Sequence, residues 1–215
     1  MKFKGIIFDI DGTLTSTNEL IFASFNHITE KYLGKIYSCD EIIDLFGPTE
    51  DKIITDMCGD NSEIAKKDYY DFYSNNHHMA DLYPGINNLL SHLKKNDVLL
   101  SIYTGKGRKA AVITLQKLSI HDYFDLIITG DDVIEHKPSA EGINKFIKEF
   151  ELDKDEVLMV GDSPADIKAA HTAGVKVASV LWDSYAKEKV LQLKSDFIFH
   201  SVDELSKFLE NKIRV

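Results

Sequence analysis

Six short apolar runs recur along the chain, each four to six residues long. Within them apolar residues follow one another instead of alternating with polar ones. This pattern is typical of strands that are buried on both faces of a parallel sheet. We therefore predict strands at residues 4–8, 98–103, 125–129, 157–160, 175–180 and 196–199.

The segments between these runs place apolar residues at helical spacing. Residues 84–95, for example, begin with Pro84 and carry Leu89, Leu90 and Leu93. We predict helices at residues 84–95, 107–118, 139–150, 163–173, 184–193 and 202–210. The alternation of strand and helix predicts an α/β fold with a doubly wound, Rossmann-like parallel sheet.

Residues 16–83 interrupt this alternation. They contain helical patterns such as "NELIFASFNHITEKYL" and "SEIAKKDYYDFYSNNHH", and no strand pattern. We therefore predict two domains: an α/β core made of residues 1–15 and 84–215, and a helical domain made of residues 16–83.

Composition narrows the functional classes. With 44% hydrophobic residues, the 215-residue chain can bury a sizeable core. The formal charge of −10 argues against a nucleic-acid partner, which needs a basic surface. Two cysteines make no disulfide framework, and no apolar run approaches the ~20 residues that cross a bilayer. Acids break the N-terminal run "MKFKGIIFDIDG", unlike a signal peptide, so we expect a soluble cytoplasmic protein without a membrane partner.

Acidic and other polar residues follow four of the predicted strands, at the ends where open α/β sheets bind ligands. In chain order they are Asp9 with Asp11 and Gly12, Thr104 with Gly105, Asp131 with Asp132 and, beyond them, Lys137, and Asp162 with Asp166. We expect three acidic clusters, a hydroxyl group and a lysine to meet at one rim of the sheet, because parallel strands end at the same edge.

These residues resemble the four motifs of the haloacid dehalogenase (HAD) superfamily of phosphohydrolases, in the same order along the chain. The DxDGT motif is matched by residues 9–13, the Ser/Thr motif by Thr104, the Lys motif by Lys137 before a proline, and the GDxxxD motif by residues 161–166. The insertion between the first two motifs resembles the family's α-helical cap. The resemblance therefore implies a HAD core with a helical cap domain.

The resemblance also implies a mechanism through an aspartyl phosphate. Asp9 is then the nucleophile, and Asp11 is the general acid for the leaving group and afterwards the base for water. Thr104, Gly105 and Lys137 are then the phosphate-binding residues.

Mg²⁺ is the cofactor that the resemblance implies. Its ligands would be the carboxylates of Asp9 and Asp162 and the backbone carbonyl of Asp11, with Asp166 in or just behind that shell, through water. The cation would offset the repulsion among these acids. Capping of the helix that begins near Ser163 is the alternative role for Asp162 or Asp166, and both roles stay open at this point.

One departure from the family pattern and one further resemblance bear on the substrate. The family often has Asn after the motif Thr, whereas here Gly105 and Lys106 follow, and we expect Lys106 or Arg108 to add positive charge. The cap segment "FGPTEDKI" at residues 46–53 resembles the family's specificity loop. Its Gly-Pro form is closer to phosphoglycolate phosphatases and pyrophosphatases than to β-phosphoglucomutases.

The leading hypothesis is a Mg²⁺-dependent phosphatase, similar to phosphoglycolate phosphatase, that hydrolyses a small phosphorylated metabolite as a monomer or homodimer. The alternatives on the same core are a phosphomutase of the β-phosphoglucomutase type and an inorganic pyrophosphatase. A receiver-like phospho-acceptor without enzymatic activity is disfavoured, because receivers have neither a large cap nor a second aspartate at the position of Asp11.

Overall fold

A computed structural model describes residues 2–184 and 186–213. Its strands are β1 (Gly5–Phe8), β2 (Thr15–Ser16), β3 (Asp81–Leu82), β4 (Leu99–Tyr103), β5 (Leu126–Ile128), β6 (Val157–Gly161), β7 (Lys176–Val180) and β8 (Phe197–Phe199). Six of them form a parallel sheet in the order β5-β4-β1-β6-β7-β8. The predicted doubly wound α/β fold is confirmed.

The α-helices of the described residues are α1 (Asn18–Leu33), α2 (Cys39–Ile43), α3 (Glu50–Cys58), α4 (Ser62–Asn75), α5 (Ile86–Lys95), α6 (Arg108–Lys117), α7 (Glu141–Glu149), α8 (Pro164–Ala173), α9 (Lys187–Gln192) and α10 (Val202–Ile213). Met1, Tyr185, Arg214 and Val215 lie outside the described residues. All four belong to the predicted core range, and Tyr185 also belongs to the predicted helix 184–193. None of the described helices is long and apolar enough to cross a membrane.

Both faces of the sheet are covered, as continuous apolar strands require. In β1, Ile6 and Phe8 pack in one hydrophobic cluster, and Ile7 packs in a second one on the opposite face. All three side chains are fully buried. Each such side chain contributes about 1.5–3 kcal/mol to folding, so the strand is held from both sides.

The winding direction of the sheet changes between β1 and β6. The chain passes from β1 to β4 and β5 on one side, and then from β6 to β7 and β8 on the other. Loops on either side of such a switch point diverge and leave a crevice, which is where open α/β sheets bind ligands. The loops that follow β1 and β6 carry the first and the fourth motif.

The four helices α1–α4 form the predicted helical cap between β1 and β4. Their hydrophobic cluster includes Phe25, Tyr69 and Tyr73 and extends to Ala110 on α6. The antiparallel ribbon of β2 and β3 joins the cap to the α/β core. Thr15 of the ribbon belongs to the predicted core range, whereas Ser16, Asp81 and Leu82 belong to the predicted cap range, and that division into domains stays a prediction. Cap and core touch where the Tyr73 hydroxyl lies 2.7 Å from Thr114 Oγ1 on α6.

Candidate active site

Asp9 is held rigidly at the carboxyl end of β1. Its backbone N–H donates to the carbonyl of Val160 in β6 at 3.0 Å, and its carboxylate accepts from the Ile10 N–H at 2.7 Å. The chain then turns sharply at Gly12, whose φ is +76°. A Cβ on Gly12 would lie 2.5 Å from Asp162 Oδ2, so a glycine is needed both for this turn and for the approach of the two motif loops.

Three carboxylates meet at the switch point. Asp9, Asp162 and Asp166 each place one carboxylate oxygen within 4.8 Å of the others. Burial raises the pKa of Asp9 to about 6, although Lys137 opposes the shift, and burial together with the neighbouring Asp166 and Asp9 raises the pKa of Asp162. Buried like charges of this kind call for a cation, and a set of hard oxygen donors fits Mg²⁺.

Lys137 lies among these carboxylates. Its Nζ atom is 2.8 Å from Asp9 Oδ2 and 2.6 Å from Asp166 Oδ1. Burial alone would lower the pKa of Lys137, but the two carboxylates outweigh it and the net direction is upward. The lysine that the sequence placed at the rim is therefore a buried ammonium group beside the predicted nucleophile.

Asp166 has a capping role as well as a place in the acidic cluster. Its Oδ2 atom accepts from the Ser163 backbone N–H at 3.0 Å and from the Ser163 hydroxyl at 2.7 Å, while Ser163 Oγ accepts from the Asp166 N–H. This capping box begins α8. Of the two roles that the sequence left open, the structure shows the capping role for Asp166, and its role in the metal shell stays a prediction.

Asp11 lies on the other side of the turn and has different partners. Its Oδ1 atom accepts from the Thr17 hydroxyl, and Lys106 Nζ donates to its Oδ2 atom at 3.1 Å. Lys106 is also 3.5 Å from Glu50 Oε1, and Glu50 Oε2 accepts from the Gly107 N–H at 2.6 Å. A cap residue, a core lysine and the predicted acid/base therefore form one connected chain of contacts.

A cavity of about 340 Å³ lies between core and cap. Its core wall carries the predicted site residues Asp9, Asp11, Thr104, Gly105, Lys137 and Asp162. Its cap wall is mostly apolar and is formed by Ile21, Phe25, Ile43, Phe46 and Ile53, together with Pro48 and Glu50. The structure therefore brings the four motifs to a single small cavity that the cap closes over.

Comparison with known proteins identifies the family. A family model described as haloacid dehalogenase-like hydrolase matches residues 6–180. The chain belongs to the haloacid dehalogenase-like hydrolase family. The membership of the HAD superfamily that the four motifs predicted is thus confirmed, together with the HAD fold and its helical cap.

Among the relatives of this HAD hydrolase is the pyrophosphatase PpaX of Bacillus cereus (strain G9842), which is 30% identical over 215 residues and covers 100% of both chains. The PpaX pyrophosphatase of Bacillus thuringiensis (strain Al Hakam) is 29% identical over the same length and coverage. A crystal structure named as a predicted phosphoglycolate phosphatase from Haemophilus somnus 129pt superposes with a TM-score of 0.86 at 26% identity, covering 97% of this chain and 98% of the other.

Not every polar group at the rim belongs to the HAD site. Asp131 accepts from the Arg108 backbone N–H at 2.7 Å, and Asp132 pairs with the Arg108 guanidinium. These three residues do not line the cavity. The third acidic cluster therefore lies at the rim beside the cavity, where Asp131 and Asp132 pair with Arg108. Of the two expected cations, Lys106 lines the cavity and Arg108 does not.

Sequence reasoning missed two cap residues that the structure places at the site. Glu50 begins α3 and looks like an ordinary acid in the first turn of a helix. Thr17 precedes α1 and looks like an ordinary N-cap, although its hydroxyl donates to Asp11 instead. Only the position of Glu50 in the segment that resembles the family's specificity loop could have drawn attention to it.

Proposed function

We propose that this HAD hydrolase cleaves a small phosphoanhydride, with inorganic pyrophosphate as the first substrate to test. The observation that carries the proposal is the full-length similarity to proteins named pyrophosphatase PpaX. The cavity supports it, because a volume of about 340 Å³ suits a small molecule and leaves little room for a macromolecule.

The side chains suit a two-step transfer. A carboxylate oxygen of Asp9 attacks the phosphorus atom, the bond from phosphorus to the leaving oxygen breaks, and an aspartyl phosphate forms. Asp11 donates a proton to the leaving oxygen and then takes a proton from the water that attacks the aspartyl phosphate. Inorganic phosphate leaves and the Asp9 carboxylate is regenerated.

Thr104, Gly105 and Lys137 hold the phosphoryl oxygens during both steps in this mechanism. All three line the cavity beside Asp9. The Thr104 hydroxyl accepts from the Lys106 backbone N–H at 3.2 Å, which leaves its own proton free to point at a phosphoryl oxygen. A lysine and fixed donors of this kind stabilise the charge that develops on the transferred group.

Mg²⁺ would be held by the carboxylates of Asp9 and Asp162 and by the backbone carbonyl of Asp11, with Asp166 behind them. When bound it supplies positive charge that balances the acids and polarises the phosphoryl oxygens. Asp166 suits the outer position, because Ser163 and Lys137 already occupy its carboxylate.

A phosphate monoester is the second candidate and was the leading expectation from the sequence. The similarity to the structure from Haemophilus somnus 129pt, named as a predicted phosphoglycolate phosphatase, favours it. The two candidates differ in the leaving group, which is phosphate for pyrophosphate and an alcohol for a monoester, while the roles of Asp9 and Asp11 are the same.

The test is a phosphate-release assay at fixed free Mg²⁺ with pyrophosphate, phosphoglycolate, and β-glucose 1-phosphate with and without a bisphosphate. We expect turnover of pyrophosphate by the wild type and essentially none by Asp9→Asn. Asp203→Asn, which changes an exposed aspartate paired with Lys207, is the matched control and should behave like the wild type.

Each other outcome selects a different function. Release from phosphoglycolate without release from pyrophosphate would establish the monoester reading. Sugar-phosphate conversion that requires a bisphosphate would establish a phosphomutase. Normal turnover by Asp9→Asn would show that Asp9 is not the nucleophile.

A further inference from the structure

Two buried lysines line the cavity, and each pairs with one aspartate of the DxDGT motif. Lys137 Nζ is 2.8 Å from Asp9, and Lys106 Nζ is 3.1 Å from Asp11. Among the described residues that line the cavity, these two side chains are the only cationic ones. The cavity thus has one fixed positive charge beside the nucleophile and another beside the acid/base.

The Lys106 ammonium group is fixed from several sides. Only 2% of its side chain is exposed, Glu50 Oε1 lies 3.5 Å from it, and the Tyr73 ring centroid lies 5.3 Å away. Its backbone belongs to the same loop as Thr104. A lysine held in this way has already lost its rotamer freedom, so it can bind an anion with little further loss of entropy.

We propose that Lys106 determines substrate specificity by binding an anionic group on the leaving half of the substrate. The inference rests on the proposed function, because it takes Asp11 to be the group that touches the leaving oxygen. Since Lys106 is within hydrogen-bond distance of Asp11, it can reach the atoms next to that oxygen. The group it binds is the second phosphate of a diphosphate or the carboxylate of a phosphorylated hydroxy acid.

The charges around the leaving half explain why this lysine is needed. Asp11 and Glu50 both lie on that side, and two carboxylates repel an anion. The ammonium of Lys106 is the group that compensates them. Without Lys106, the two carboxylates repel a substrate whose leaving half is charged. A substrate whose leaving half is neutral is not repelled in this way.

The experiment compares two matched pairs of substrates at fixed free Mg²⁺. Pyrophosphate is paired with acetyl phosphate, and phosphoglycolate is paired with ethyl phosphate. The two members of each pair are the same kind of phosphate derivative, anhydride or monoester, but only the first carries charge on the leaving half. The variants are Lys106→Met, which keeps the bulk and removes the charge, and Lys106→Arg, which keeps the charge.

In Lys106→Met we expect the ratio of kcat/KM for the charged member to that for the neutral member to fall about 10- to 100-fold, as the loss of one charged hydrogen bond implies. Lys106→Arg should restore much of this ratio. Lys207→Met, at an exposed ion pair, should leave the ratio at its wild-type value. An equal loss on both members would overturn the proposal and leave Lys106 with a structural role only.

A binding measurement separates this proposal from the proposed function. Calorimetry with imidodiphosphate, which has two anionic groups, and methylphosphonate, which has one, needs no turnover. Lys106→Met should weaken imidodiphosphate binding about 10- to 100-fold more than methylphosphonate binding. Equal weakening, or no binding of either compound by the wild type, would overturn the role of Lys106. Absence of turnover on all four substrates, with the binding difference intact, would contradict only the proposed function.

Discussion

Gly12 shows how closely the first and fourth motif loops approach each other. Its left-handed conformation alone makes any other residue unfavourable, and the carboxylate of Asp162 occupies the space where a Cβ would stand. Gly34 has a similar φ of +64° at the end of α1, but nothing lies within 4 Å of its Cβ position. A comparison of substitutions at these two glycines therefore separates the energetic cost of the backbone conformation from the cost of crowding at the site.

We predict that Gly34→Ala lowers the free energy of unfolding by about 1–2 kcal/mol, because it places a Cβ on a left-handed backbone. Gly12→Ala should lower it by more, because its Cβ also meets the Asp162 carboxylate. Only Gly12→Ala should also raise the Mg²⁺ concentration for half-maximal activity, since its methyl group displaces Asp162. Urea unfolding and Mg²⁺ titration of activity measure the two effects. A Mg²⁺ requirement for Gly12→Ala equal to that of the wild type would contradict the prediction.

At the scale of elements, the residues that cap the start of α8 also contact residues of the candidate active site. Ser163 donates its hydroxyl proton to Asp166, and Asp166 in turn accepts from Lys137. The same residue type stands at the start of α10, where Ser201 Oγ accepts from the Glu204 N–H at 3.2 Å, and Ser201 does not line the cavity. The two serines provide similar caps with different neighbours.

We predict that Ser163→Ala and Ser201→Ala each cost about 1 kcal/mol of stability, the usual effect of losing an N-cap hydroxyl. Ser163→Ala should also lower kcat/KM, because Asp166 loses one of the partners that hold it and Lys137 in place. Thermal unfolding and steady-state kinetics check both expectations. A fall in kcat/KM of similar size in Ser201→Ala would show that the effect is one of general stability.

For the whole molecule, the acidic cluster should couple stability to Mg²⁺. A cation that binds only the folded protein stabilises it, by about 2.7 kcal/mol when its free concentration is about a hundredfold above Kd. We predict that Mg²⁺ raises the Tm of the wild type and that a chelator reverses the rise. Calorimetry with and without Mg²⁺ measures the difference.

Asp162→Asn tests the origin of this coupling. Without Mg²⁺ the variant should be more stable than the wild type, because it removes a half-buried carboxylate whose pKa is raised by loss of solvent and by the neighbouring acids. Its Mg²⁺-dependent rise in Tm should be smaller than that of the wild type. Asp203→Asn should match the wild type in both respects, and a full Mg²⁺ response in Asp162→Asn would rule out Asp162 as a ligand.

At the contact between cap and core, two glycines leave room for cap side chains. A Cβ on Gly107 would lie 2.8 Å from Glu50 Oε2, and a Cβ on Gly130 would lie 2.5 Å from Thr49 Cγ2. The segment Thr49–Glu50 therefore docks against the core where two glycines leave room. Nothing in the sequence around either glycine reveals this contact, because the partners are 57 and 81 positions apart along the chain.

The sequence by itself determined the alternation of strands and helices and the positions of the four motifs, because buried strands and amphipathic helices leave periodic patterns of apolar residues. Parallel strands also end at one edge, so Asp9, Thr104, Lys137 and Asp162 could be expected to meet. These inferences need only local pattern and one rule of sheet geometry.

Only the tertiary structure decided which charged side chains pair. Lys106 and Arg108 stand two positions apart with the same charge, yet Lys106 pairs with Asp11 and Glu50, whereas Arg108 turns to Asp132. An ion pair depends on distance in space, and that distance is set by the docking of the cap and the direction of each loop. Local sequence carries neither quantity, which is why the partners of Lys106 emerged from the fold alone.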